Sequence, residues 1–226
     1  MEIKTRHTLF GMFGIVFLLI LISLLGTTPV LQWLGFDKMG PPVLWLSRGL
    51  IWGALALLWW YAVKIERQPL LFWKERRLSF LGYVGSIAVV LFILLVLIIM
   101  LGLVAKLSGV NTRSEKMLML MKMLGNHQFL LVFIALTAGV VEEFIFRGYM
   151  QPRMEVLFKS PVAAIVVSSA VFGVLHIGYG TFLNVAGPFL IGLVFAVYYS
   201  KFRNLKVLIC CHFLWDFIIM CTQAGR

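Results

Sequence analysis

Six ionisable side chains stand where an apolar sequence should carry none: Glu142, Glu143, Arg147, His176, His212 and Asp216. Each lies inside or at the edge of a long hydrophobic run. Placing such a group at membrane depth costs about 2.5–3.5 kcal/mol on insertion scales, so these groups normally pair, line a cavity or do chemistry. Carboxylates and imidazoles together can take, hold and return protons. That serves either general acid–base catalysis or a proton relay. All six fall in the C-terminal half, whereas the first three apolar runs contain only Arg48.

Helical spacing divides the labour among them. Glu143 and Arg147 are four residues apart, about 40° around a helix, and can form an ion pair. Glu142 points about 100° away from Glu143 and is less well placed to reach that guanidinium. Glu143 is therefore expected to stay ionised on Arg147, leaving Glu142 free to carry a proton. His212 and Asp216 share a helix face, as do Phe172 and His176. Three helices would then each turn polar groups inward: Glu142 from one, His176 from a second, His212 and Asp216 from a third.

These residues lie in the segments VEEFIFRGY, FGVLH and HFLWD, which read in order as EExxxR, FxxxH and HxxxD. Any one pattern arises easily by chance in an apolar chain; all three in order, with Arg-Gly-Tyr closing the first, are specific. The sequence over about 125–221 resembles the CPBP family of intramembrane proteases, which includes the type II CAAX prenyl endopeptidases and bacteriocin-processing or immunity relatives. The third motif of that family ends in Asn as often as Asp, which leaves the role of Asp216 more open than the others. The resemblance implies an endopeptidase in which Glu142 polarises the attacking water beside His176. His212 and Asp216 would serve as ligands or as donors to the oxyanion, and Arg147 would orient the carboxylates or hold a substrate carboxyl group. It also implies a membrane-associated or lipidated peptide or protein as substrate. His176, His212 and Asp216 are a credible three-ligand set for a divalent metal such as zinc. A glutamate–histidine pair activating water without metal is the other mechanism.

Other intramembrane protease chemistries lack their residues. Neither internal histidine begins an HExxH pattern, the only aspartates are Asp37 and Asp216, and no GxSG surrounds Ser168 or Ser169. A structural role competes for some of the six, since a Glu143–Arg147 pair could simply hold helices in register. Glu142 stands toward the end of its apolar run, where a glutamate can be interfacial. Phe172 and Trp215 read as packing residues that wall the site.

The elements that must position these groups are membrane spans. The chain has 226 residues, 62% hydrophobic and only 13% charged, against about 45–50% and about 25% for soluble domains. We expect an all-α polytopic transmembrane bundle of about seven spans (six to eight), at 9–25, 43–63, 78–105, 129–150, 161–176, 185–199 and 207–221. The first run is longer than a signal-peptide core and lacks a clean cleavage site, so it is read as a span. Pro29, Asp37, Lys38 and Pro41–Pro42 connect the first two spans. Gly178, Gly180, Gly187 and Pro188 are expected to break the pattern between the fifth and sixth. Residues 114–124 read as an amphipathic helix at the interface. Residues 1–124 would then be scaffold spans and 125–226 the catalytic core of one continuous membrane domain.

The net charge of +11 does not imply nucleic-acid binding. The basic residues cluster in short loops, at Lys64, Arg67, Lys74, Arg76 and Arg77 and again at Lys201, Arg203 and Lys206, as at anionic lipid headgroups. Their distribution favours a cytoplasmic N-terminus, and the compact chain suits a prokaryotic plasma membrane. Cys210, Cys211 and Cys221 read as small packing residues. Two non-protease readings also fit: a proton- or ion-coupled transporter, and a non-catalytic scaffold or immunity factor of the same family.

Overall fold

The computed structural model describes residues 4–26, 28–36 and 39–224; Asp37 and Lys38 of the first loop lie outside them. The described chain is all helical. Its elements are α1 (Thr5–Ser23), α2 (Thr28–Trp33), α3 (Pro41–Tyr61), α4 (Phe80–Leu107), α5 (Glu115–Gly125), α6 (Gln128–Thr137), α7 (Gln151–Phe158), α8 (Pro161–Val174), α9 (Leu183–Phe202) and α10 (Leu205–Ala224). A π-helical turn, Ala62–Glu66, prolongs α3. Two more, Ala138–Glu142 and Phe144–Met150, join α6 to α7 into one continuous rod. Seven helical segments are long and apolar enough to cross a membrane. The chain is a polytopic helical bundle of about seven spans, as expected.

Local sequence sets the helix ends. The hydroxyls of Ser79, Ser114 and Ser160 cap α4, α5 and α8 by accepting from the third backbone N–H beyond, the usual service of a serine N-cap. At the opposite ends, Arg67, Lys159 and Arg203 adopt left-handed backbone conformations that close their helices and place cations at the negative helix termini. Gly187 and Pro188 do not divide the fifth span from the sixth: both lie inside α9, with Pro188 in its second turn. A proline there forfeits one backbone bond, a loss that packed membrane helices tolerate.

The spans are not equally buried. The rod Gln128–Phe158 is 61% buried over its apolar window, against 11% for α4. The rod is thus the axle of the bundle and α4 a lipid-facing flank. One core joins α1 and α3 to the rod and α8 through Met12, Ile51, Ile145 and Phe172. A second joins α4, α9 and α10 through Leu94, Phe195 and Leu208. A third seats α5 on α6 and α10 through Met121, Leu124 and Met220. The predicted amphipathic helix therefore exists, but its Met121 and Leu124 are buried against protein. Of the cysteines only Cys211 is buried; Cys210 and Cys221 are exposed on the α10 surface.

Polar contacts tie the N-terminal spans to the rod. Arg153 is fully buried and donates to both Glu66 Oε2 and the carbonyls of Pro69, Leu70 and Tyr149. The Tyr149 hydroxyl donates to Glu66 Oε1 at 2.8 Å, and its ring stacks under the Arg153 guanidinium at 3.9 Å. Both charges of this buried pair are hydrogen-bonded, the condition under which such a pair is tolerable. Tyr149→Phe deletes one bond to a charged acceptor and is expected to cost about 1.5–3 kcal/mol. Thermal unfolding in detergent measures it; an unchanged midpoint would mean the clamp carries no stability. The basic loop behind it also holds α10, since Glu75 Oε1 accepts from the Leu205 and Lys206 N–H groups.

Candidate active site

The rod enters the bundle with glycine where it must touch α10. A methyl group on Gly139 would stand 2.9 Å from the Phe213 nitrogen and 3.0 Å from the Ile209 carbonyl oxygen. Only a residue without a side chain lets α10 come this close. Gly173 does the same for α8 against α9, where an added methyl would meet Phe189 and the Val185 carbonyl at 2.9 Å. These two approaches bring the rod, α8 and α10 around a common centre.

At that centre Glu143 is fully buried and Arg147 nearly so. The predicted ion pair is present: Arg147 Nη1 donates to Glu143 Oε1 at 2.9 Å. The guanidinium also donates to the Gly192 carbonyl at 3.1 Å and lies against the rings of Phe146, Phe172 and Phe195. The same Glu143 oxygen lies 2.8 Å from Nδ1 of the buried His212. A carboxylate only accepts, so Nδ1 carries the proton, an assignment made from the bonding network. The other ring nitrogen, Nε2, then faces Glu142 Oε2 at 3.9 Å and Asp216 Oδ2 at 3.7 Å. One water or one oxyanion can bridge gaps of this width.

Glu142 differs from its neighbour as the spacing predicts. It makes no bond to Arg147, and its Oε2 is buried without a hydrogen-bond partner. It stands near the middle of the helical segment Gln128–Phe158, which runs on through α7 beyond the expected end at 150. The π-helical turns on both sides of Glu143 interrupt the regular ladder, as such turns often do at functional sites.

His176 sits just beyond the end of α8. Its Nδ1 donates to the Phe172 carbonyl at 2.8 Å, leaving Nε2 free. Phe172 stands between the two imidazoles, its ring centre 4.9 Å from His176 and 6.0 Å from His212, and so forms the expected wall. Trp215 does not share that duty; it packs into the cluster of α4 and α9. Asp216 lies in electrostatic reach of Glu142, Glu143, His176 and His212. The six residues singled out in the sequence thus gather in one region. Ser168 and Ser169 both turn back to the Ile165 carbonyl within their own helix, consistent with no serine nucleophile.

Sequence reasoning missed two neighbours. Tyr179 lies in electrostatic reach of Glu142 and Asp216, and Arg48 in electrostatic reach of Tyr179. The signal was present: Arg48 is the one ionisable residue inside the first three predicted spans. Tyr179 carried no comparable signal, because its position depends on the turn after His176.

Donors bound to a tetrahedral zinc at about 2.0–2.1 Å stand about 3.3 Å apart, and His212 Nε2 lies 3.7 Å from Asp216 Oδ2. Among the described residues no group of three or more His, Cys, Asp or Glu side chains is placed to hold a metal ion.

Comparison with known proteins agrees with the motif reading over part of the chain. Residues 124–218 match the family model described as type II CAAX prenyl endopeptidase Rce1-like. The matched stretch contains the rod, α8, α9 and the greater part of α10, and with them all six candidate residues. No curated protein matches the chain significantly, and no solved structure does.

Proposed function

We propose that this protein is an intramembrane endopeptidase in which Glu142 activates the water that attacks a peptide carbonyl. The observation that carries the reading is the contrast within the carboxylate pair. Glu143 is committed to Arg147 and His212, while Glu142 presents a buried, partnerless oxygen toward His212 Nε2. In the reaction Glu142 takes a proton from water as its oxygen bonds to the scissile carbonyl carbon. The carbonyl oxygen becomes an oxyanion facing the imidazoles. Glu142 then returns the proton to the departing amine as the carbon–nitrogen bond breaks. As imidazoliums, protonated at Nε2 as well as Nδ1, His212, aimed by Glu143, and His176, aimed by the Phe172 carbonyl, stabilise the developing charge as donors. Arg147 and Glu143 act as positioning residues.

The mechanism proposed activates water through Glu142, and no step is assigned to a divalent ion. Zinc would need His176, His212 and Asp216 to draw together. Exhaustive chelation of the purified protein is accordingly expected to leave turnover unchanged. Activity lost on chelation and restored by zinc would reinstate the three-ligand mechanism.

The substrate class proposed is a membrane-associated or lipidated peptide or protein, supported by the position of Glu142 within the apolar helical segment Gln128–Phe158 and by the family match. The basic loops support a cytoplasmic N-terminus, and we place the enzyme in a prokaryotic plasma membrane. Cleavage of a peptide library by the purified protein, with and without lipid attachment, tests the reading. Absence of any product from a folded sample, alongside proton-coupled uptake in vesicles, would favour a transporter instead.

A further inference from the structure

The lipid-facing flank carries a groove that the catalytic reading does not use. It runs between α4 and α9 with a volume of about 510 Å³, within the range of about 300–1,000 Å³ typical of small-molecule sites. Its floor is apolar, with Val194 and Ile93 among the lining residues. It extends along α4 from Gly85 to Ile93, about 12 Å of helix. Gly85 keeps it open, since a methyl group there would touch nothing within 4 Å.

One end of the groove is chemically different. Ser86, Tyr198 and Lys201 line it there, beside the basic loop that joins Arg76 to Asn204 and Tyr83. The Tyr198 hydroxyl is enclosed beside Ser86. Lys201 is exposed one turn further on, toward the basic loop. An apolar trough that ends at an exposed cation matches an acyl chain and a phosphate.

We propose that the α4–α9 groove binds one anionic phospholipid, with an acyl chain along Gly85–Ile93 and the phosphate on Lys201. The occupied helix also walls the candidate active site. The opposite face of α9 supplies the Gly192 carbonyl to Arg147 and the Phe195 ring to His212. Lipid in the groove therefore braces the helix against which both residues rest.

Native mass spectrometry of the detergent-purified protein tests this with phosphatidylglycerol, phosphatidylcholine of the same chains, and geranylgeraniol as probes. The wild type should retain one phosphatidylglycerol, preferred over phosphatidylcholine about fivefold, the equivalent of one lysine at an anionic surface. Gly85→Leu fills the trough and should abolish retention of both phospholipids. Lys201→Gln should bind both equally. Gly85 borders open space and Lys201 is exposed, and equal melting temperatures in lipid-free detergent would verify folding. Undiminished phosphatidylglycerol retention by Gly85→Leu, or equal binding of both phospholipids by the wild type, would overturn the proposal. So would displacement of bound phospholipid by geranylgeraniol at equal concentration, which would make the groove a site for an isoprenoid chain.

Discussion

Replacing Glu142 by glutamine is expected to reduce peptide cleavage by about 10²–10⁴-fold, or about 3–5 kcal/mol of barrier, while the protein still folds. Glutamine keeps the size and polarity of the side chain and removes only its capacity to accept a proton from water. Among the described residues its Oε2 has no hydrogen-bond partner and its one ion-pair contact is His212 Nε2 at 3.9 Å, so little structure rests on its charge. The measurement pairs a cleavage assay with a melting curve on the same preparation. Loss of cleavage at an unchanged melting temperature supports the base assignment. A variant that cleaves as fast as the wild type would move the base elsewhere, to His176 first. If the wild type acts only as a scaffold, the variant will preserve its cellular phenotype intact, and the protease reading then fails even though the fold stands.

Arg147→Ala should behave in the opposite sense, harming structure as much as activity. The guanidinium is nearly inaccessible and satisfies Glu143, the Gly192 carbonyl and three aromatic faces at once. Removing it leaves a buried carboxylate short of its strongest partner, which typically costs about 3–5 kcal/mol. We expect a sharply lower abundance in membranes and a depressed melting temperature, with cleavage lost in whatever remains folded. Arg147→Lys restores a charge but not the fork that reaches Glu143 and Gly192 together, so it should recover only part of the stability. Full stability in Arg147→Ala would show that His212 alone can neutralise Glu143, and the guanidinium would then need a role in substrate binding. Comparing the two positions separates a proton carrier from a positioning residue, because only the second should move the melting curve.

The bundle and the membership of the site were legible in the sequence for a simple reason. A membrane span must be continuously apolar, so every ionisable residue inside one stands out against its neighbours. Glu142, Glu143, Arg147, His176, His212 and Asp216 were found by that contrast, and four-residue spacing paired Glu143 with Arg147 before any coordinates. The same contrast fails outside the spans. Glu66 and Arg153 sit in stretches already rich in charge, and nothing local marks them as partners 87 positions apart. Trp215 likewise turned toward α4 and α9, because aromatic residues on an apolar helix look alike until their neighbours are known.

By itself the sequence determined the architecture, about seven helical spans, and the set of residues able to do acid–base chemistry, since both follow from hydrophobicity and spacing along one helix. Only the tertiary structure decided how those residues divide their work. Glu143 turned out to serve two partners from different helices, because Gly139 lets α10 approach until His212 reaches the same oxygen that Arg147 holds. That approach leaves Nε2 of His212 facing Glu142 and Asp216. The separation of roles between adjacent glutamates is a fact about packing between helices, and a one-dimensional pattern records only the contacts a helix makes with itself.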